Sequence, residues 1–179
     1  MADELIDICD ENDNLTGHQE PKSKAHKIGL WHRGAHIWIY NSKKEILIQL
    51  RAKEKSLYPD MWDISVAGHV SSGEKPIKSA IREIKEEIGL IINQSNLKFF
   101  KKIKHKTIFK KIKNNEFYYV YFLKTDKKIN QLKLQKEEVQ KVKFISLKEL
   151  EKELKNNPNK FAHHGSYWKE IINQIKNFN

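Results

Sequence analysis

Residues 68–90 read GHVSSGEKPIKSAIREIKEEIGL and contain the strongest structural signals in the sequence. Proline suits the first position of a helix and glycine the residue just past its end, so Pro76 and Gly89 predict a helix over Ile77 to Ile88. Its apolar residues recur at helical spacing within roughly 100° of arc, which is the width of a face that packs on a sheet. These residues are Ile77, Ala80, Ile81, Ile84 and Ile88.

The same helix carries three carboxylates, Glu83, Glu86 and Glu87, on the side away from the apolar face. Like charges at these spacings destabilise a helix by about 0.2–0.5 kcal/mol per pair, so the arrangement favours a cation among them. Hard oxygen ligands suit Mg²⁺ or Mn²⁺. The alternative is a solvated acidic face, in which Arg82 partly neutralises Glu86 at the i,i+4 spacing.

The order of charged residues and glycines in this stretch matches a known signature. Gly68 is followed by five residues and Glu74, then by seven residues and Arg82-Glu83, an aliphatic residue, one residue, Glu86-Glu87, one residue, Gly89 and an aliphatic residue. This pattern resembles the complete Nudix box of the Nudix hydrolases. The resemblance implies an α/β/α sandwich with a mixed sheet, and the strand pattern on both sides of the box agrees with that fold.

The resemblance also implies an activity, which is metal-dependent hydrolysis of a diphosphate linkage in a nucleoside diphosphate joined to another group. The metal would be Mg²⁺ or Mn²⁺. The resemblance implies that Glu83, Glu86 and Glu87 bind it, often with the carbonyl of Gly68. It further implies that Glu74 pairs with Arg82 and holds the loop against the helix.

The general base that takes a proton from the attacking water is left open. Glu86 could serve, and so could Glu116 at the head of an aromatic strand, or Glu137 or Glu138 before Val139. For the last three glutamates, the alternative is an exposed carboxylate in a loop or at a strand end. The catalytic candidates are therefore Glu83, Glu86, Glu87, Glu116 and Glu138.

Upstream of the box, LWHRGAHIWIYN (30–41) and ILIQLRAKEKSLYPDMWDISVAGHV (46–70) resemble one branch of the family. That branch contains the type I isopentenyl diphosphate isomerases and their hydrolase relatives. The resemblance implies that Arg51 and Lys55 bind a diphosphate, and that His26, His32 and His69 lie near a metal in the same cleft. For each histidine, the alternative is a hydrogen-bonded structural residue.

The residue before Gly68 distinguishes the two activities of this branch. The isomerase needs a cysteine there to exchange a proton with the substrate's carbon skeleton, and this chain has Ala67. Hydrolysis is therefore the prediction, with an isomerase-like enzyme as the alternative. Candidate substrate-binding residues are Arg33, Arg51, Lys55, Trp62 and His69, and Trp62 is expected to flank the cleft.

The rest of the chain reads as the strands and helices of one α/β domain (α+β in some schemes). Leu5 to Cys9 and Leu15 to Gly17 predict an N-terminal hairpin, so we divide the chain into an extension (1–30) and a Nudix domain (31–179). Ala35–Tyr40 and Glu45–Leu50 predict a second, central hairpin. Further strands are predicted at Lys98–Lys110, Glu116–Leu123 and Val139–Ile145, and helices at Leu147–Leu154 and Tyr167–Ile175.

The composition and the N-terminal sequence indicate the cellular compartment and the class of binding partner. The 179 residues include 34 Lys+Arg and 23 Asp+Glu, and the balance of +11 favours phosphate-bearing partners. Cys9 is the single cysteine, which excludes an intrachain disulfide. The N-terminal MADELIDICDENDN lacks the features of a secretory signal, and no run approaches the roughly 20 apolar residues of a membrane span. We expect a cytoplasmic protein without a membrane partner.

The stretch from Lys98 to Lys113 interleaves lysines with apolar residues. Such a stretch can bind nucleic acid, with cations on phosphates and aromatic rings on bases. The pattern is also typical of a strand with one buried face and one face solvated by lysine, and we favour that interpretation. We therefore expect a small-molecule diphosphate substrate, with a basic RNA-associated protein as an alternative. The exposed edge of the N-terminal ribbon could mediate a homodimer.

Overall fold

A computed structural model describes residues 3–178, which form a nine-stranded sheet with helices on both sides. The strands are β1 (Leu5–Cys9), β2 (Leu15–Pro21), β3 (Trp31–Tyr40), β4 (Ile46–Arg51), β5 (Trp62–Asp63), β6 (Val66–His69), β7 (Leu97–Phe109), β8 (Ile112–Lys124) and β9 (Val139–Ile145). The helices are α1 (Lys22–Ile28), α2 (Pro76–Ile88), α3 (Leu147–Asn156) and α4 (Ser166–Lys176). The predicted mixed fold is confirmed, with the later strands and helices close to their expected bounds.

Strand β3 lies at the centre of the sheet and is buried along most of its length. It runs parallel to β8 from Trp31 opposite Asn115 to Tyr40 opposite Lys124, and antiparallel to β6. Its side chains alternate between two cores, because successive residues of a strand point to opposite faces. Ile37 packs in the core beneath α2, and Trp38 packs in the core beneath α3 and α4. This arrangement is the predicted α/β/α sandwich.

The predicted central hairpin is present at its turn but does not continue along the two strands. Strands β3 and β4 are antiparallel neighbours at the pair Tyr40 and Ile46, where the turn joins them. Beyond that pair they diverge, since β3 takes β6 and β8 as partners while β4 takes β5 and β9. Each strand thereby pairs on both sides and is buried, which a simple two-stranded hairpin would not achieve.

The N-terminal hairpin is present, with β1 paired to β2 and joined to the sheet at Cys9 opposite Trp31. Helix α1 follows it and was not predicted. The helix has only seven residues and no side-chain cap, and Gly29 ends it in the left-handed conformation with φ 77°. Strand β2 is largely exposed at the edge of the sheet. A homodimer through this edge stays a prediction.

The lysine-rich stretch forms β7 and the turn into β8, and β7 lies at another edge with β8 as its strand partner. From Lys102 to Phe109, exposed residues alternate with half-buried ones, as expected for a strand with one solvated face. This pattern supports the strand interpretation over a dedicated nucleic-acid surface. None of the helices in residues 3–178 combines the length and hydropathy needed to cross a membrane.

Candidate active site

Helix α2 fixes the three predicted carboxylates relative to one another. Pro76 starts the helix, and Gly89 ends it with φ 68° while its N–H bonds the carbonyl of Lys85 at 3.0 Å. Glu83 and Glu87 lie one turn apart and are both buried, whereas the side chain of Glu86 is 48% exposed. Burial raises the pKa of Glu83 to about 7 and that of Glu87 to about 8.

Two glycines make room for buried carboxylates beside the helix. A Cβ on Gly68 would overlap the carboxyl group of Glu83, so only glycine fits in strand β6 at this point. A Cβ on Gly34 of β3 would overlap the carboxyl group of Glu116, and it would lie 3.4 Å from the carbonyl oxygen of Gly68. The backbone of Gly68 therefore lies between the carboxylate of α2 and that of β8.

Arg82 connects the loop before α2 to the carboxylates of the helix. Its Nη1 donates to Glu83 at 2.7 Å and to Glu86 at 3.0 Å, and its Nε donates to Glu74 at 3.2 Å. Its Nη2 donates to the carbonyl of His69 at 3.1 Å. One guanidinium thus neutralises part of the acidic cluster and holds the strand end, the loop and the helix together.

A cavity of about 520 Å³ is lined by Gly68, Arg82, Glu116 and the three carboxylates of α2, together with Arg51, Lys55 and Glu138. Arg51 donates from Nε to the carbonyl of Leu57 at 2.9 Å and from Nη1 to Asp63 at 3.1 Å, which leaves its Nη2 without a partner among the described residues. Lys55 forms an ion pair with Glu138. Two cationic side chains therefore line the same cavity as the carboxylates.

His26, His32 and His69 come together from α1, β3 and β6. One ring nitrogen of each lies within 4.8 Å of the others, and Nε2 of His69 is 3.3 Å from Nε2 of His26. Burial lowers the pKa of His26 and of His32 to about 4 and lowers the pKa of His69 well below its usual range. The three rings are therefore neutral at pH 7, which is the form that binds a metal.

The hydrogen bonding of His32 leaves one of its nitrogens for a ligand. Its Nδ1 lies 2.9 Å from the carbonyl oxygen of Leu30, so Nδ1 carries the proton. Its Nε2 is buried and has no hydrogen-bond partner among the described residues. Glu116 lies beside His32 on the neighbouring strand. Glu116 is buried, accepts from Nδ2 of Asn114 at 2.8 Å, and has its pKa raised to about 7 by burial.

Donor chemistry in the cavity fits a hard divalent cation. Glu83 and Glu87 are buried carboxyl groups, and within the described residues Glu83 accepts a hydrogen bond from Arg82 and Glu87 accepts one from Gln49 at 3.1 Å. Buried charges of this kind are stable when they are paired or coordinate a metal. With Glu86 at the rim and the backbone of Gly68 beside Glu83, α2 presents an oxygen-rich donor set of the type that Mg²⁺ or Mn²⁺ takes.

Two of the predicted substrate-binding residues lie elsewhere. Arg33 donates from Nε to Asp13 at 2.6 Å and so faces the turn of the N-terminal hairpin. Trp62 packs against the α3/α4 core, with Nζ of Lys143 4.6 Å from its ring centre. Neither side chain lines the cavity described above. By contrast, Arg51, Lys55 and His69 all line it.

The cavity residues that were not predicted include His36, Asp63 and His164. Nε2 of His164 lies 2.6 Å from Oδ1 of Asp63, although 101 positions separate them in the chain. His163-His164-Gly165 reads as a loop before the last helix and carries no local signal of a site. The partnership of the two residues could be found only from the fold.

Comparisons with known proteins agree with the fold and the motif. The NUDIX domain family model matches residues 30–164. Nudix hydrolase 3 of Arabidopsis thaliana is 36% identical over 154 residues, which are 83% of this chain and 20% of that protein. The chain therefore spans about a fifth of that relative's length. Isopentenyl-diphosphate Delta-isomerase 1 of Photorhabdus laumondii is 33% identical over 156 residues, or 86% of each chain.

A crystal structure from Deinococcus radiodurans has a similar fold, with a TM-score of 0.70 and 22% sequence identity. The match covers 96% of this chain and 99% of that one. At this level of identity the likeness concerns the fold alone. It extends over the N-terminal hairpin and the C-terminal helix as well as the central sandwich, because so little of either chain is left unmatched.

Proposed function

Because the chain belongs to the Nudix hydrolase family, which acts on diphosphate bonds, we propose that it is a Mg²⁺- or Mn²⁺-dependent enzyme. Its substrate is a nucleoside diphosphate linked to another group, or a related organic diphosphate. The observation that carries this proposal is the pair of buried carboxylates, Glu83 and Glu87, set one turn apart in a cavity that Arg51 and Lys55 also line.

Each group has a distinct task in this reaction. Glu83, Glu86 and Glu87, with the carbonyl of Gly68, would hold the cation. When bound, the cation supplies neutralisation of the phosphate oxygens and a lower pKa for an attacking water. Arg51, through its remaining Nη2, and Lys55 orient the diphosphate. Water attacks one phosphorus in line, the bond to the bridging oxygen breaks, and that oxygen leaves with the second phosphate.

The proton of the attacking water passes to a carboxylate of the chain. Among the candidates, Glu138 is paired with Lys55, and Glu86 is held by Arg82. Glu116 accepts a hydrogen bond from Asn114 and has a pKa of about 7, near the value that serves a general base at neutral pH. We therefore favour Glu116, with Glu86 and Glu138 as the variants to compare.

His26, His32 and His69 form a second metal-binding set in this proposal, as the resemblance to the isomerase branch implies. The support is the neutral state of the three rings and the unpartnered Nε2 of His32. Because His26 lies in residues 1–30, the extension completes the site of the domain at residues 31–179. The division of the chain into an extension (1–30) and a Nudix domain (31–179) stays a proposal.

The isomerase remains the second candidate because a curated isomerase shares 33% identity with the chain. The position before Gly68 argues against it, since Ala67 lines the cavity and has no group that can exchange a proton. Cys9 offers no substitute. It is buried against Trp31 and Phe117, and burial raises the pKa of its thiol to about 12.

The experiment is chromatographic product analysis after incubation with nucleotides, nucleotide conjugates, thiamine diphosphate and isopentenyl diphosphate. Parallel samples contain Mg²⁺, Mn²⁺ or EDTA. Metal-dependent release of phosphate or a nucleoside monophosphate supports the hydrolase. Conversion of isopentenyl diphosphate to its dimethylallyl isomer would replace it with the isomerase. Metal-independent binding of RNA without turnover would favour the RNA-associated alternative.

A further inference from the structure

Part of the cavity lies away from α2 and is built on the opposite sheet face. His36 of β3 stacks on Tyr118 of β8, with ring centres 3.8 Å apart, and the ring of His164 lies 6.1 Å from that of His36. Asn114 and Tyr118 are four positions apart on β8. They lie on the same face, because residues an even number of positions apart in a strand point the same way. We call His36, Asn114, Tyr118 and His164 the inner chamber. All four line the cavity.

Asp63 fixes the state of His164 behind this chamber. Burial alone would raise the pKa of Asp63, but His164 and Arg51 hold it well below its usual range, so the group is a carboxylate. A carboxylate only accepts hydrogen bonds, and Nε2 of His164 must therefore carry the proton on the 2.6 Å contact. That contact leaves Nδ1 of His164 for a second hydrogen-bond partner.

Three buried polar atoms of the inner chamber have no partner among the described residues. They are Nδ1 of His164, Nδ1 of His36 and Oδ1 of Asn114. Native structures satisfy nearly all buried polar atoms, and the exceptions call for an explanation. His36 and Asn114 are each only 6% exposed, so bulk water does not supply the missing partners freely.

The aliphatic part of the cavity wall is small. Within residues 3–178, only Leu57, Ile64 and Ala67 contribute aliphatic side chains to the wall. A hydrocarbon tail in the inner chamber offers no polar atom and would leave the three buried polar atoms without partners. Sites of this kind discriminate strongly against a group that cannot make the hydrogen bonds.

We propose that His36, Asn114 and His164 bind the organic group of the diphosphate substrate, and that this group carries polar atoms that hydrogen-bond Nδ1 of His164 and Oδ1 of Asn114. The substrate class is thus a diphosphate of a hydrogen-bonding group, and prenyl diphosphates are rejected. His164 is a specificity-determining residue, and Asp63 is a positioning residue that acts through it. This inference rests on the proposed function for the placement of the diphosphate.

Two substitutions at one position separate the two nitrogens of His164. In His164→Gln, the amide reaches the position of Nε2 and keeps the contact with Asp63, but nothing replaces Nδ1. In His164→Asn, the shorter amide lies near the position of Nδ1 and the contact with Asp63 is lost. Circular dichroism checks that both variants fold. If a variant does not fold, the test is the preference of the wild-type protein among the probes.

The probes are ADP-ribose, UDP-glucose and thiamine diphosphate against isopentenyl and geranyl diphosphate. Binding is measured by calorimetry with Ca²⁺, and turnover is measured separately with Mg²⁺. We expect at least one hydrogen-bonding probe to bind about 100-fold more tightly than both prenyl probes. His164→Gln should weaken that binding about 10-fold and His164→Asn less, with prenyl binding unchanged in both.

The result that overturns the inference is the absence of this preference in the wild-type protein, whether the prenyl probes bind as tightly or no probe binds. Equal losses on all probes in both variants also overturn it, because they indicate a purely structural role. The proposed function has a separate readout. Preferred binding without turnover in Mg²⁺ would contradict the hydrolase while leaving the inner chamber supported.

Discussion

At the scale of the residue, Glu87 illustrates the conflict between stability and function. This residue is 3% exposed, and burial raises its pKa to about 8, well above the value near 4.3 of an unfolded glutamate. In the metal-free protein, the unfavourable contribution of this group therefore grows as the pH rises from about 4.3 towards 8. A neutral amide at this position removes that contribution.

We expect metal-free Glu87→Gln to melt a few degrees above the wild type at pH 8, with the difference vanishing near pH 4. Thermal unfolding in EDTA, followed by circular dichroism, measures both values. Glu86→Gln is the matched control, because Glu86 is 48% exposed and paired with Arg82, and it should not melt above the wild type at pH 8. A lower melting temperature for Glu87→Gln at pH 8 contradicts the assigned burial cost.

Substitution of Gly68 tests whether Glu83 must keep its observed position. A Cβ at this position overlaps the carboxyl group of Glu83, so Gly68→Ala must displace that side chain or the strand. We expect turnover to fall about 100-fold or more, since misplacement of a binding group by about 1 Å can cost that much. The fold should survive, with a loss of about 1–3 kcal/mol in the free energy of unfolding. Unchanged turnover would show that Glu83 does not need its present position.

At the scale of the residue, the sequence predicted correctly those features that depend only on residues close together in the chain. The spacing of Glu83, Glu86 and Glu87 identified one patch on one helix, because helical geometry alone determines it. The pair of Asp63 and His164 was missed, since 101 residues separate them and no local pattern links a strand end to a loop before α4. Arg33 was placed with the substrate, although its ion pair with Asp13 directs it to the hairpin turn.

At the scale of the element, one buried aspartate docks the N-terminal hairpin on the sheet. Asp13 has a left-handed backbone with φ 69°, and its side chain is 3% exposed. It accepts hydrogen bonds from Arg33, Lys102 and Tyr119, each at 2.6 Å. Burial would raise the pKa of Asp13, but these three donors lower it below its usual value.

A lowered pKa stabilises the fold above the unfolded pKa near 3.9, and that contribution is lost as the pH falls below it. We therefore expect Asp13→Asn to lose about 1–3 kcal/mol of unfolding free energy at pH 7 and less at pH 3. Urea unfolding at the two pH values measures the difference. Glu11→Gln, on the same turn but exposed, should have no effect at either pH. A loss for Asp13→Asn that is equal at both pH values would contradict the role of the charge.

Elements were predictable where their ends carry strong signals. Helix α2 has Pro76 at its start and Gly89 at its end, and both bounds agree with the structure within one residue. Strands β3 and β4 and the turn that joins them were predicted, but their other partners were not, because those partners are distant segments such as β8 and β9. Helix α1 escaped notice since seven residues contain too few turns for a periodic pattern.

At the scale of the whole molecule, the histidine cluster joins the N-terminal segment to the sandwich. His26 belongs to α1, while His32 and His69 belong to the central strands. We expect the wild type, after dialysis with Mn²⁺, to retain one more equivalent of metal than His26→Ala when measured by mass spectrometry. His18→Ala is the matched control, since His18 is exposed on β2 of the same segment. Equal metal content in the wild type and His26→Ala would contradict a metal site at the histidine cluster.

The 23 residues of the Nudix box predicted the sandwich, because the loop and helix that they form are characteristic of one fold. The identity of the substrate was not, since specificity depends on side chains from several loops and strand faces. His36, Asn114 and His164 come from three such segments, and only the folded chain brings them into one cavity.

The most direct test of the account compares the wild type with Glu87→Gln at saturating Mg²⁺ on a substrate that the wild type hydrolyses. We predict that the rate of phosphate or nucleoside monophosphate release falls by about 100-fold or more, while Glu54→Gln, a change in an exposed loop, leaves it unchanged. Wild-type activity should also disappear in EDTA and return with Mg²⁺. Full turnover by Glu87→Gln, or turnover that persists in EDTA, would contradict the central claim.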